Sequence, residues 1–356
     1  MNHGDHGNGA RRAAVWLLAF MAAGAGCASK WEMRTAEPPT ALQWPFPPSP
    51  PKVTYVRSIT GFATDTSARS VASAIVFGRD DPARNAFVLP VAVATGDDGR
   101  IAVADMGRRC VHLYVPAEQR YVRLSGSERD AVTSPVGLVF DEQSTLYLSD
   151  SAGKVFAFGA DGGVRFVLRE AGGVPLQRPT GIAYSPRRKL VYVVDTLAHR
   201  VHALRTTGEL AFSFGERGEG ESGFNFPTHI FRSQAGKLYV TDALNFRIRI
   251  FDEDGKPLAS FGHHGDGSGD LAMPKGIAVD RDGVIYVVDG LFDNVQLFDG
   301  KGEFLLTLGQ RGVDFAEFWL PSGAFIREDA LYVCDTYNAR IQVFHVMEGY
   351  ENRGTS

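Results

Sequence analysis

The chain has 356 residues, an apolar fraction of 44% that is ample for a core, and a formal charge of -4. No segment clusters Lys and Arg as phosphate binding requires, so a nucleic-acid partner is excluded on composition and charge. Gly 40 and Pro 18 fit a chain of many short strands and turns.

At the N-terminus, Arg11 and Arg12 precede an apolar stretch from Ala13 to Ala23, too short to span a bilayer but long enough for a signal-peptide core. Gly24, Ala25 and Gly26 then lead into Cys27. This resembles a bacterial lipoprotein signal, in which the cysteine becomes the lipidated first residue of the mature chain. Gly24 stands where that signal carries a larger aliphatic, which leaves ordinary signal-peptide cleavage open. Residues 1–27 are thus expected to direct export, with the product in the periplasm or anchored to the outer membrane. Residues 28–51, rich in proline around Trp44 and Phe46, read as an extended tether.

From residue 52 to 348 one unit repeats. An aspartate ends a short apolar strand at Asp105, Asp150, Asp195, Asp242, Asp289 and Asp335, and a proline precedes each in phase at Pro90, Pro135, Pro179, Pro227, Pro274 and Pro321. Such a period marks blocks that bury their apolar faces only against their neighbours. Each unit reads as an apolar strand after the proline, a tight polar turn, a strand ending at the aspartate, a short loop, and two further strands. Four-stranded units in radial repetition make a β-propeller, here all-β with six blades. The sixth unit stops at RIQVFHV without a fourth strand, and KVTYVRSITG, Lys52 to Gly61, supplies it from the N-terminal side. Pairing the two closes the ring and removes an exposed sheet edge. Phe62 to Phe87 reads as a connecting loop and residues 349–356 as a tail.

The units PTGIAY…VYVVDTLAHRV, PTHIFR…LYVTDALNFRI, PKGIAV…IYVVDGLFDNV and PSGAFI…LYVCDTYNARI are similar to the NHL repeat family. The resemblance covers about three quarters of the chain. Blades one and two depart from it, with Ala92 in place of the repeated glycine, Cys110 in place of the arginine, and a loop after Asp150 that is one residue short. It implies a platform for protein or small-ligand binding, with enzymes as a minority: the amidating lyase and, more broadly, metal-dependent lactonases. The lyase's zinc histidine after the inner-strand proline has no counterpart, since Val91, Val136, Thr180, Thr228, Lys275 and Ser322 stand there.

A carboxylate present in every blade builds the blade, accepting backbone N–H groups from the loop that follows it. Arg200, Arg247 and Arg340 read as partners that lock the same loops. Cys110 and Cys334 fall in the first and sixth blades, which admits a disulfide across the seam, although two buried free thiols are the plainer expectation. The inter-blade segments share a face with the aspartates and carry Arg217, His263, His264, Arg311, Phe318 and Trp319, the expected ligand-binding residues. His229 replaces the inner-strand glycine of blade four. It is expected at the channel mouth, as a polar lining residue or a weak metal candidate. The resulting expectation is a monomeric, non-catalytic binding or scaffold module of the cell envelope, held to the membrane by lipid alone, with a protein or small ligand as partner. No catalytic residue and no cofactor are predicted, a bound Ca²⁺ or Zn²⁺ being left open, and the rival reading is a metal-dependent hydrolase or lyase acting in the channel.

Overall fold

The computed structural model describes Met1, residues 30–64 and residues 85–347. The leader with Cys27, residues 65–84 of the expected connecting loop and residues 348–356 lie outside the described residues. Six antiparallel sheets form the six blades of a propeller. The inner strands are Pro90–Thr95, Pro135–Phe140, Pro179–Ser185, Pro227–Arg232, Pro274–Val279 and Ala324–Arg327. In blades one to five the proline pairs with the aspartate that ends the second strand, as in Pro90 with Asp105 and Pro274 with Asp289. One end of the channel therefore carries the aspartate loops and inter-blade segments, and the other carries the tight turns.

Proline suits the start of an inner strand because its missing N–H faces no ladder partner there. The glycine two residues on has a different cause. A Cβ on Gly276 would lie 2.5 Å from Ala324 N and Ser322 O, and one on Gly181 would lie 2.6 Å from His229 Cα, all backbone of the next blade. The glycine lets neighbouring inner strands touch, which draws the ring tight.

The core is divided among the six gaps between blades, and each gap holds one apolar cluster drawn from two facing sheets. Tyr192, Tyr286, Phe156, Phe251 and Phe344 are among its fully buried side chains. Each stabilises the fold by about 1.5–3 kcal/mol relative to an exposed ring.

Val53–Thr64 pairs antiparallel with the last strand, Arg340–Val346, so the N-terminal strand closes blade six. Thr336 Oγ1 donates to Pro90 O at 2.9 Å and Arg327 donates to Thr95 O at 2.7 Å, which bonds blade six to blade one. The stretch read as a tether is not a free spacer over its described length. Trp31–Ala36 adds a further strand outside Val53–Thr64, and Gln43–Trp44 pairs with its start. The aromatic side chains between the prolines decide this: Trp44 is buried against Phe344, at 6.1 Å between ring centroids. Trp31 reaches blade one, where its ring lies 4.7 Å from that of Tyr121 and its carbonyl accepts from Tyr114 Oη at 3.0 Å. The segment thus straps the seam between the last blade and the first.

Cys110 and Cys334 are both buried and free, so no disulfide crosses that seam. Burial pushes the Cys110 thiol up to about 12.

Candidate functional site

The six repeated aspartates are fully or almost fully buried. Their principal donors come from the residues just before the inner-strand proline, not from the following loop alone. Val88 and Leu89 donate N–H to Asp105, Thr133 and Ser134 to Asp150, Gln177 and Arg178 to Asp195, and Ala272 and Met273 to Asp289. In blades four and six one of the two donors is diverted. Phe226 N donates to His199 Nδ1 at 3.3 Å and Leu320 N to Asp293 Oδ1 at 2.6 Å, leaving Asn225 on Asp242 and Trp319 on Asp335. The aspartates fix the inter-blade segments and are spent in doing so.

Other polar side chains pin the same segments. Arg247 Nε donates to Asp242 and Arg340 Nε to Asp335, while Arg200 is exposed and pairs with no carboxylate among the described residues. Gln296 Nε2 donates to Asp270 O at 2.6 Å, and Gln342 Oε1 accepts from Ala316 N at 2.8 Å.

On this face the expected ligand-binding residues are separately placed. His263 is exposed and its Nε2 lies 2.6 Å from Asp270 Oδ1, while His264 packs on Phe246. Arg217 is exposed in a two-residue bridge, and Arg311 is exposed beyond Asp293. Trp319 is half-exposed beside Tyr337. Phe318 is fully buried against Phe344 and belongs to the core, because the loop it sits on folds back over blade six. None of these six side chains lines the main cavity formed by the described residues.

A cavity of about 390 Å³ does occupy the central channel, lined by the inner strands of all six blades. It reaches from the level of His229, Gly181 and Gly323 to the tight turns, where Asp97, Glu142, Arg281 and Glu328 form its rim. Its opening is therefore on the face opposite the one expected to bind. The walls are apolar, with Leu138, Ile182, Ile230 and Ile277 among them. Phe231 of blade four and Phe325 of blade six approach edge to face across the lumen at 6.5 Å.

Ion pairs between blades tie the rim. Arg327 pairs with Asp97, Arg281 with Asp329, and Lys189 with Glu142 at 2.5 Å. Arg232 of blade four and Arg187 of blade three share the buried carboxylate of Glu253. The pairs have sequence signals only as charges in turns, and nothing in the repeat announces which turns meet.

His229 is the one expected site residue that lines the cavity, at its inner end. Burial in the channel, with the Lys275 ammonium nearby, pushes its pKa down to about 4, so the ring is neutral at neutral pH. Its Nδ1 lies 3.2 Å from Thr228 Oγ1. Among the described residues no three His, Cys, Asp or Glu side chains converge to hold a metal ion.

No family model and no curated protein matches the chain. Solved structures do match in fold. A streptogramin B lyase structure is 13% identical, with a TM-score of 0.55 over 72% of this chain and 93% of that one. A virginiamycin B lyase from Staphylococcus aureus is 12% identical, with a TM-score of 0.54 over 73% and 96%. A gluconolactonase from Xanthomonas campestris is 18% identical, with a TM-score of 0.56 over 73% and 87%. At such identities the likeness shows a six-bladed propeller and no more.

Proposed function

We propose that this protein is a binding module that takes a small organic molecule into its central channel from the tight-turn face. One observation carries the reading: the cavity of about 390 Å³, apolar in its walls and polar at its rim, falls within the range of small-molecule sites. The inter-blade loops, by contrast, have their backbone groups fixed by buried aspartates and glutamines and present scattered side chains. The phased glycine, aspartate and arginine support an NHL-type repeat. The leader and Cys27 support an exported, lipid-anchored module of the cell envelope, which loss of palmitate labelling in Cys27→Ala would test.

The second reading, a hydrolase or lyase, draws on the enzymes among the structural neighbours and on His229, a neutral imidazole in the lumen able to accept a proton. Its test is turnover of lactone or streptogramin-type substrates by wild-type protein and loss of that turnover in His229→Gln.

Native mass spectrometry and thermal shift with a mixture of small amphipathic fragments test the binding reading. Wild type and the loop-face variant Trp319→Ala are expected to retain the same fragments. Ala92→Trp, which fills the channel, is expected to lose them while circular dichroism reports a folded protein. Retention by Ala92→Trp together with loss in Trp319→Ala would return the site to the loop face.

A further inference from the structure

The rim and walls of the channel carry five carboxylates, Asp97, Asp141, Glu142, Asp280 and Glu328, against three arginines, Arg232, Arg281 and Arg327. The three arginines are already engaged, Arg327 with Asp97, Arg281 with Asp329, and Arg232 with Glu253, and the Lys275 ammonium lies near His229 at the opposite, inner end. Glu142 is likewise matched by Lys189. Asp141 and Asp280 are different. Each directly follows an inner strand, each is buried, and neither has an ion pair among the described residues. Asp141 accepts from Thr145 N at 2.8 Å and Tyr147 Oη at 3.1 Å, and Asp280 from Val284 N at 2.9 Å and Tyr286 Oη at 3.0 Å. These neutral donors orient the carboxylates without cancelling their charge.

The two aspartates belong to blades two and five, which face each other across a six-membered ring. Both line the cavity, so its tight-turn end carries negative charge on two opposite sides. The lumen also offers aromatic faces from Phe231 and Phe325, both half-buried, and from Tyr184. A hydroxyl is left over: Thr95 lines the cavity at 6% exposure, and its Oγ1 has no hydrogen-bond partner among the described residues. Carboxylates without an ion pair, aromatic faces and a spare acceptor suit a positive charge with an apolar body at the tight-turn end of the cavity, and disfavour an anion there.

Resting on the channel-binding reading above, we propose that the ligand is a small organic cation, its ammonium group drawn to the acidic tight-turn end that Asp141, Asp280 and Glu328 line and its apolar part against Phe231 and Phe325. Glu328, exposed at the rim, adds to the field that draws such a ligand in. Burial pushes the Asp280 pKa upward, and a bound ammonium would offset that cost.

Three probes of matched size decide the charge: phenethylammonium, 2-phenylethanol and phenylacetate, titrated calorimetrically into the full-length protein at neutral pH. Phenethylammonium is expected to bind at least tenfold more tightly than 2-phenylethanol, and phenylacetate to bind least. Raising the salt tenfold is expected to weaken the cation and leave the alcohol unchanged. Asp141→Asn with Asp280→Asn is expected to remove most of the preference. The comparison of probes on wild type needs no variant, so it stands even where that double variant fails to fold. Equal binding of the cation and the alcohol, or tighter binding of phenylacetate, overturns the proposal while leaving the channel as the site. Binding of none of the three overturns this proposal and counts against the channel reading as well, which the fragment mixture then decides separately.

Discussion

Phe231 and Phe325 come from blades that are not neighbours, yet their rings meet edge to face at 6.5 Å across the central channel. Edge-to-face pairs contribute about 0.5–1.5 kcal/mol beyond their area. Phe231→Ala is expected to cost about 1–3 kcal/mol, less than a fully buried phenylalanine, because the ring is only half-buried. A double-mutant cycle with Phe325→Ala, read by urea unfolding, is expected to show a coupling of about 0.5 kcal/mol or more. Strict additivity would mean that the rings do not interact in solution.

Asp289 accepts N–H groups from Ala272, Met273, Leu291 and Phe292 and is fully buried. Removing the carboxylate leaves several buried donors unsatisfied, and Asp289→Ala is expected to destabilise by about 3–5 kcal/mol. Asp252 binds the N–H groups of Asp254 and Lys256 in an exposed turn, and Asp252→Ala is expected to cost about 1 kcal/mol or less. Similar losses for the two in chemical denaturation would remove the latch role.

Gly276 and Gly220 separate steric need from chain entropy. A Cβ on Gly276 meets backbone of blade six at 2.5 Å, whereas one on Gly220 has nothing within 4 Å. Gly276→Ala is expected to lower stability by about 2 kcal/mol or more as the inner strands are forced apart. Gly220→Ala is expected to be neutral or to stabilise by up to about 1 kcal/mol. The melting temperatures of the two variants should move in opposite directions or differ by several degrees.

His229 has a folded pKa pushed below its unfolded value, to about 4. The unfolded chain therefore binds the proton first as pH falls, and the contribution of the neutral ring is present above about 6.5 and lost towards pH 4. The ring is open to the channel, so the loss is expected to be about 1–2 kcal/mol. Buried carboxylates such as Asp280 and Asp335, whose pKa values are pushed upward, act in the opposite sense near the acid end. The difference between wild type and His229→Gln isolates the histidine. Parallel stability profiles from pH 7 to pH 4.5 would show that its protonation does not oppose folding.

The blade count was legible because a propeller repeats one unit, and each unit must solve the same local problem. Asp105 and Asp335 sit in blades of different sequence, yet both ends of the strand need the same backbone donors satisfied. The closing strand was legible for the same reason: RIQVFHV lacked a partner and KVTYVRSITG lacked a sheet. The docking of Trp31 and Trp44 was not, since proline spacing describes the local chain and says nothing of the aromatic pockets on blades one and six that capture it.

The candidate site divides similarly. His229 stood out as a break in the repeat, and it does line the channel. Phe318 and Trp319 looked alike as loop aromatics, yet one is core and the other half-exposed, because alternate residues of a segment folded over a blade face opposite ways.

Local pattern determined the strands, the turns, the period and the face on which each loop lies, since these depend on residues close in the chain. The open end of the cavity, the engagement of Arg232, Arg281 and Arg327, and the lack of an ion pair for Asp141 and Asp280 among the described residues depend on which blades adjoin and which oppose. Only closure of the ring sets those distances. A turn carboxylate becomes a buried, uncompensated charge when the other five blades exclude water from around it.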